Sequence, residues 1–193
     1  MISGKSFRTL LGLALLSLAA VVAPGGNPVS LSEVLRPAEQ PQVMRFKEAK
    51  HLAILDQTLT SSGVLRFVPP DTLTREMAGP SGMTYRIEGS QLSVSKGGQV
   101  IRQLDLQANP QLAGFALSLR ALLKADIQTL QQHYDIQLTG SEVSWKLQLT
   151  PRDDPVSRLI ERISIAGGKQ QIHMIDSYET GGDSSHMILL PDE

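Results

Sequence analysis

Three residues near the C-terminus, Asp183, Ser184 and His186, are of the types that carry out nucleophilic hydrolysis. A serine nucleophile needs a base within hydrogen-bonding reach. Close neighbours on a strand point to opposite faces or run past each other, so this spacing does not by itself pair the serine with the histidine. The sequence also has no G-x-S-x-G motif. We interpret the segment as a polar hairpin turn. An envelope hydrolase that uses Ser184 and His186 is kept as the least favoured functional hypothesis, behind two that are introduced below.

Metal coordination would need several His, Cys, Asp or Glu side chains on one face. His173, Asp176 and His186 are candidates, but residues three apart on a strand do not share a face. Motifs of the types H-x-H and H-E-x-x-H are absent, and the lack of cysteine excludes disulfide bonds and thiolate zinc sites. We therefore predict no metal ion, no other cofactor and no catalytic residue.

Composition limits the class of protein further. Of the 193 residues, 41% are hydrophobic, which is enough for a substantial core. The 18 Lys and Arg residues and 19 Asp and Glu residues give a net charge of −1, so there is no electrostatic basis for binding nucleic acid. Aromatic residues make up 4% of the chain and leave few rings for stacking on bases or sugars. We predict a globular protein that does not bind nucleic acid.

The N-terminal segment has the layout of a secretory signal peptide. Lys5 and Arg8 precede an uncharged run from Leu10 to Ala23, and the helix-breaking Pro24-Gly25-Gly26 follows. This run of about 14 residues is shorter than the ~20 residues that cross a bilayer comfortably, which favours a signal peptide over a permanent anchor. We therefore expect export to the periplasm. The predicted divisions are a signal peptide at 1–23, a flexible leader at 24–42 and one domain at 43–193.

After the leader, the pattern first indicates a helix and then changes to strands. Apolar residues at Val43, Phe46, Leu52 and Leu55 predict a helix that turns Lys47, Glu48 and Lys50 outward. From residue 64 onward, apolar and polar residues alternate, as they do in strands with one buried face. The alternating segments are 64–68, 85–88, 92–95, 100–106, 143–149, 163–165, 172–175 and 186–190.

One strong amphipathic helix interrupts these strands. Asn109 fits an N-cap, and Pro110 fits the first helical position. Asp126 is predicted to cap a second, short helix that carries Ile127, Leu130 and Tyr134. In the first helix, apolar residues recur every three or four positions, at Leu112, Phe115, Ala116, Leu119, Leu122 and Leu123.

These elements predict an α+β fold. Seven to nine strands and two main helices, without regular strand–helix alternation, indicate an antiparallel sheet with helices packed on one face. Two helices cover only part of so wide a sheet, which leaves two interpretations of its apolar face. One is an ordinary filled core. The other is a curved, half-open barrel whose apolar hollow accepts an acyl or polyene chain.

Several motifs, spread over most of the chain, occur in an order known from one protein family. The segment Phe46-Lys47-Glu48-Ala49-Lys50 is similar to an opening F-x-Q-x-K helix, and residues 62–73 are similar to a hairpin with G-x-L-x-F followed by P-x-x-L. The segment from Trp145 to Asp153 is similar to W-x-L-x-L-x-P-x-D. Together these segments resemble the LolA-like family of periplasmic outer-membrane lipoprotein carriers. Glu48 departs from the usual Gln of that family, and Arg75 stands where many members have Trp.

The resemblance implies an incomplete antiparallel β-barrel, a curved sheet whose apolar concave face is covered by helices that act as a lid. It implies a non-catalytic carrier that shields the acyl chain of a lipoprotein, a glycolipid or a pigment lipid and transfers it toward the outer membrane. The implied protein partners are an inner-membrane donor and an outer-membrane acceptor, and we expect a monomer. The second hypothesis is a periplasmic structural or assembly module of the same fold, with a filled core, that binds a protein partner at the sheet edge.

On the carrier hypothesis, one set of apolar residues lines the hollow and another covers it. The sheet-side lining is predicted to consist of Leu65, Phe67, Ile87, Leu92, Val94, Trp145, Leu147, Leu149, Ile163 and Ile165. The covering helix face is predicted to consist of Phe115, Leu119, Leu122 and Leu123.

Overall fold

The computed structural model describes residues 29–80, 82–108, 110–152 and 156–191, without several of the side chains between 109 and 118. The predicted signal peptide and the first residues of the leader lie outside these ranges. The α-helices described are α1 (Leu31–Val34), α2 (Pro110–Leu123) and α3 (Ile127–His133). The strands are β1 (Gln42–Leu52), β2 (Gln57–Val68), β3 (Thr72–Met77), β4 (Met83–Glu88), β5 (Gln91–Lys96), β6 (Gln99–Asp105), β7 (Tyr134–Ser141), β8 (Ser144–Pro151), β9 (Ile160–Gly168), β10 (Gln171–Glu179) and β11 (Ser184–Pro191).

The strands form one antiparallel sheet in the order β6-β5-β4-β3-β2-β1-β11-β10-β9-β8-β7. Neighbours in the sheet are also neighbours in the sequence except at the centre, where β1 pairs with β11. Strands β6 and β7 are therefore the two edges, and the chain that joins them contains α2 and α3. This connection places both helices between the two edges of the sheet.

The sheet is strongly curved. Strand β4 lies seven strand positions from β8, which corresponds to about 34 Å in a flat sheet with strands ~4.8 Å apart. Nevertheless, Ile87 of β4 and Leu149 of β8 line the same cavity of about 320 Å³. The two halves of the sheet must therefore face each other. This open, curved antiparallel sheet with helices on its concave face confirms the predicted fold class, and the sheet does not close into a barrel.

The largest packed core lies on the β7–β9 side of the concave face. Leu147 on β8 is fully buried, as are Ile165 on β9 and Tyr134 at the start of β7. Helix α3 contributes Leu130, and the end of α2 contributes Leu122 to the same cluster. The alternation along β8 that the sequence shows places Trp145, Leu147 and Leu149 inward.

The segment before β1 is partly packed rather than uniformly loose. Val34 in α1 is 2% exposed and Leu35 is 5% exposed, and both belong to the packed core. The backbone N–H of Ala38 donates to the carbonyl oxygen of Leu123 at 3.2 Å, which ties this segment to the end of α2. The predicted flexible leader at 24–42 therefore differs from the structure at these residues, because two of its apolar side chains complete the core.

The helix predicted over 43–55 is wrong. Residues Gln42–Leu52 form the central strand β1, and only Ala53–Leu55 form a short 3-10 turn. Val43 and Phe46 are on opposite faces of β1 and both are at least partly buried, so their spacing imitates a helical period. Pairing with β2 on one side and β11 on the other then decides the conformation. Strands β3 and β7 were likewise not predicted, so the sheet has more strands than the seven to nine expected.

Helices α2 and α3 both lie where the sequence predicted them, except that Tyr134, which was assigned to the second helix, begins β7. The predicted N-cap Asn109 lies outside the described residues. Helix α2 begins at Pro110 and ends at Leu123, and α3 follows directly. The carboxylate of Asp126 caps α3 by accepting a hydrogen bond from the backbone N–H of Thr129 at 3.0 Å. The backbone and side-chain hydrogen bonds from Thr129 lower the pKa of Asp126 below its ordinary value. In the part of the chain that the structure describes, no helix combines the length and the hydrophobicity needed to cross a bilayer.

Candidate functional site

A cavity of about 320 Å³ separates the concave face of the sheet from the C-terminal half of α2. Its wall on the sheet side comes from both halves of the sheet, and its wall on the helix side comes from three leucines. The predicted lining residues found here are Leu65, Phe67, Ile87, Leu149, Ile163 and Ile165 from the strands, with Leu119, Leu122 and Leu123 from α2. Curvature of the sheet brings these residues together from positions up to 100 residues apart in the sequence.

Four of the predicted site residues do not line the cavity, and the side chain of a fifth is not described. Trp145 and Leu147 are buried in the packed core beside it. Leu92 and Val94 lie on β5, near the edge of the sheet, and do not contribute to the cavity wall. Phe115 lies in α2, but its side chain is outside the described part of the structure. The cavity wall is therefore formed more by the central strands, and less by β5 and β8, than the sequence pattern indicated.

Strands β11 and β10 supply lining residues that the sequence analysis did not identify. Met187 and Leu189 on β11 line the cavity, as do Ile172 and Ile175 on β10. Met187 and Leu189 are two apart and share a face of β11, which is the signal that would have identified them. Met44 on β1 was missed because that strand was predicted as a helix.

The cavity wall also holds an ion pair, between Glu48 on β1 and Arg75 on β3. Glu48 is 11% exposed and Arg75 is 29% exposed. The Glu48 carboxylate accepts hydrogen bonds from the hydroxyl of Ser61 at 3.0 Å and from that of Ser185 at 2.6 Å. Nη2 of Arg75 donates to the same carboxylate. Glu48 is therefore bonded to three side chains in a largely apolar surrounding.

These contacts set the protonation of Glu48. Burial alone would raise the pKa of this carboxyl. The hydrogen bonds from Ser185 and Arg75, the positive charge of Arg75 and the hydrogen bond from Ser61 outweigh burial and lower the pKa below its ordinary value. The cavity therefore contains a carboxylate and a guanidinium at neutral pH, with no net charge between them.

The position of Arg75 depends on Phe46. The guanidinium carbon lies 4.6 Å from the centre of the Phe46 ring, within the range of a cation–π contact. Phe46 is fully buried on the concave face, directly opposite Gly63 on β2. A Cβ at Gly63 would overlap the carbonyl oxygen of Glu76 and approach the Phe46 ring to 2.9 Å. Glycine at this position therefore makes room for the ring that supports Arg75.

Two tethers hold the C-terminal end of α2 over the cavity. Nη2 of Arg120 donates to the carbonyl oxygen of Gly89, in the turn between β4 and β5. The carbonyl oxygen of Leu123 accepts from Ala38, on the opposite side. Because Leu122 also packs in the core, this end of the helix is fixed at three points. Helix α2 therefore resembles a lid, and the hydrogen bond from Arg120 attaches it to the half of the sheet that contains β4 and β5.

A second hollow of about 330 Å³ adjoins the first. Both hollows are lined by Met44, Leu122, Leu123, Ile172 and Leu189. The second hollow is lined on its outer side by the segment from Val34 to Ala38.

The residues considered for hydrolysis lie elsewhere. His186 on β11 contacts Asp176 on β10, with 2.6 Å between Nδ1 of the histidine and Oδ1 of the aspartate. Their neighbours along each strand, Ile175 and Met187, point into the cavity, so this pair lies on the opposite, convex face. Within the described ranges, no hydrogen bond joins Ser184 to His186, and no three His, Asp or Glu residues form a metal site.

Comparison with known proteins gives the following matches. A profile of the family described as "Outer membrane lipoprotein carrier protein LolA-like" matches residues 26–191. Among solved structures, a LolA superfamily protein from Nitrosomonas europaea is 11% identical, with a TM-score of 0.44 over 84% of this chain and 91% of that chain. A DUF1329 family protein from Desulfovibrio piger is 14% identical, with a TM-score of 0.39 over 79% of this chain and 86% of that chain. No curated protein matches the chain.

Proposed function

Because the chain belongs to the outer membrane lipoprotein carrier protein LolA-like family, we propose that it is a carrier that shields the acyl or lipid part of an amphiphile. The observation that carries this proposal is the unfilled apolar cavity of about 320 Å³ between the concave face and α2. The cargo is a lipoprotein, a glycolipid or a pigment lipid, and the carrier moves it toward the outer membrane. A space of this shape, apolar and open between sheet and lid, suits a hydrocarbon chain better than a polar metabolite.

Burial of the chain supplies the affinity. Each methylene group removed from water contributes about 0.8 kcal/mol, so a chain of roughly 16 carbons gains more than 10 kcal/mol before the costs of binding. Uptake is therefore easy, and release is the harder step. Opening of α2, or transfer to a receptor with a better-fitting cavity, would offset this energy.

The cellular setting of this proposal follows from the signal-peptide pattern at residues 1–23. Such a signal would export the domain at 43–193 to the periplasm, between the two membranes that the cargo has to leave and enter. An inner-membrane donor and an outer-membrane acceptor are the protein partners, and the carrier works as a monomer.

We also propose that the protein acts without covalent chemistry. The side chains that suit catalysis are distributed in a way that does not favour a reaction: His186 is engaged by Asp176 on the convex face, away from the cavity. The charged groups within the cavity, Glu48 and Arg75, bond to each other. The hydroxyl of Ser185 bonds to Glu48 in the cavity wall, but the hydrogen bonds from Ser185 and Arg75 and the charge of Arg75 lower the pKa of this carboxyl and make it a weak base.

A cavity-filling variant tests the proposal. Leu119 faces the cavity from α2, so Leu119→Trp should fill part of the space and reduce uptake of a fluorescent fatty acid at least ~10-fold, with little change in the unfolding temperature. Val143 is 65% exposed in the turn between β7 and β8, and Val143→Trp is the matched control, expected to bind like the unchanged protein. Equal uptake by both variants would contradict the proposal, as would a lack of uptake by the unchanged protein.

A specific feature favours the second candidate function, a module that binds a protein partner. Strand β6 is an edge of the sheet and exposes Val100 and Ile101, at 56% and 58%, and a partner could add a strand along such an edge. This function would not need the cavity. If Leu119→Trp left the biological activity unchanged while replacement of Val100 and Ile101 by Lys abolished it, the second function would be favoured over the first.

A further inference from the structure

Besides the phenol of Tyr85, the polar side chains of the cavity wall are Glu48, Arg75, Ser177 and Ser185, which we name the polar patch. A buried ion pair stabilises a fold no more than well-packed apolar side chains of similar size would. The fold therefore does not explain why a carboxylate and a guanidinium face a space that is otherwise lined by aliphatic side chains. A ligand that uses the patch would explain it.

The two charged groups differ in how completely they are bonded. Glu48 accepts from Ser61, Ser185 and Arg75, so both of its oxygens are engaged. Arg75 donates through Nη2 to Glu48, and the same Nη2 lies 3.4 Å from the hydroxyl of Ser61. Its Nε is buried without an acceptor among the described residues. The guanidinium therefore has N–H groups left over, and a buried donor without an acceptor is costly.

The guanidinium is also held in place before any ligand arrives. Its carbon lies 4.6 Å from the centre of the Phe46 ring and its Nη2 bonds to Glu48, so two contacts hold it in place. Apolar wall begins directly beside it, because Leu65 on β2 and Tyr85 on β4 are the register partners of Arg75. A chain that lies against this wall would bring the group at its end close to Arg75.

The charge of the patch indicates which acceptor fits. Glu48 and Arg75 cancel each other, so an added anion would leave a net negative charge in an apolar cavity, next to a carboxylate. An uncharged carbonyl oxygen accepts from the guanidinium without adding charge. Ester and amide carbonyls are such acceptors, and they stand at the end of the hydrocarbon chain in acylated molecules.

We propose that Arg75 binds the ester or amide carbonyl of an acyl group, so that the cavity binds acyl esters and amides more tightly than alkanes and free fatty acids, which it holds by the hydrocarbon chain alone. This inference rests on the proposed carrier function and specifies its ligand. Arg75 acts here as a specificity-determining residue, and Glu48 positions it.

The test compares three ligands with the same chain, which are methyl laurate, laurate and dodecane, by displacement of the neutral fluorescent probe 1-aminoanthracene. The unchanged protein should bind methyl laurate about 10-fold more tightly than dodecane, as one hydrogen bond to a charged donor implies. Arg75→Met should lower the affinity for methyl laurate by about the same factor and leave that for dodecane within about 2-fold. The matched control is Arg66→Met, because Arg66 pairs with Glu76 as an exposed ion pair and should leave all three affinities unchanged.

Arg75→Met leaves Glu48 without its partner, so the double variant Glu48→Gln/Arg75→Met, which restores neutrality, serves if the single variant unfolds. Equal loss of affinity for methyl laurate and dodecane in that variant would overturn the inference, since Arg75 would then act only through the fold. Tighter binding of laurate than of methyl laurate, dependent on Arg75, would overturn it in favour of an anion site. If none of the three ligands displaced the probe from the unchanged protein, the carrier function itself would be contradicted. Failure of the carrier function can therefore be distinguished from failure of the inference about Arg75.

Discussion

Truncation of two leucines on the same concave face distinguishes a packed core from a cavity wall. Leu147 on β8 is fully buried and touches the core cluster, whereas Leu65 on β2 is partly exposed and lines the cavity. If the concave face were filled throughout, the two residues would be equivalent. We therefore compare Leu147→Ala with Leu65→Ala, two identical changes in different surroundings.

The expected costs follow from what each side chain contacts. Leu147→Ala opens a hole in closely packed surroundings, and such changes cost about 3–5 kcal/mol of unfolding free energy at fully buried sites. Leu65→Ala enlarges a space that already exists, so it loses mainly the transfer energy of its methyl groups, about 1–2 kcal/mol. The difference between the variants should be roughly 2 kcal/mol or more.

Urea unfolding monitored by circular dichroism measures both values, provided that the slope with urea is the same in both variants. Uptake of a fluorescent fatty acid gives an independent second reading. Here the order should reverse, with a weaker effect from Leu147→Ala in the folded protein and a stronger one from Leu65→Ala. If Leu65→Ala destabilised the protein as much as Leu147→Ala and left uptake unchanged, the distinction between core and cavity would be refuted.

Three further predictions concern the polar patch and the lid. Because hydrogen bonds and the charge of Arg75 lower the pKa of Glu48 in the folded state, its contribution to stability is present above pH ~4.3 and is lost as the pH falls through the folded pKa. Glu48→Gln should therefore reduce the loss of stability in acid unfolding, and an unchanged acid profile would contradict this. Arg120→Ala removes the tether to Gly89 and should speed release of a bound fluorescent fatty acid in stopped-flow measurements, whereas an unchanged release rate would show that α2 is held by its other contacts. Gly63→Ala places a Cβ against the Glu76 carbonyl oxygen and should lower the unfolding free energy by about 1–3 kcal/mol in urea, and a neutral result would show that β2 and β3 yield easily.

The sequence identified those elements whose pattern is local. Helix α2 was predicted from its proline at the first position and from leucines at helical spacing, and in the structure it begins at Pro110 and includes the last of these leucines, Leu123. The alternation on β8 placed Trp145, Leu147 and Leu149 inward, as the structure shows. These predictions succeeded because the residues that decide them lie within a few positions of each other.

The central strand failed for the opposite reason. Strand β1 is decided by its partners β2 and β11, of which β11 begins more than 130 residues later. The ion pair between Glu48 and Arg75 was not predicted for the same reason. The two residues meet because the strand pairing places β1, β2 and β3 side by side. Apolar alternation could identify a concave face, but it could not show how that face is divided between the packed core and the cavity.

The most direct test of the central claim is mass spectrometry of lipids extracted from the full chain after purification from cell envelopes. A lipid carrier should retain close to one acylated lipid per chain, and the Leu119→Trp variant should retain substantially less. A protein that is free of lipid, and that also takes up no fluorescent fatty acid when one is offered, would contradict a carrier with a vacant apolar interior.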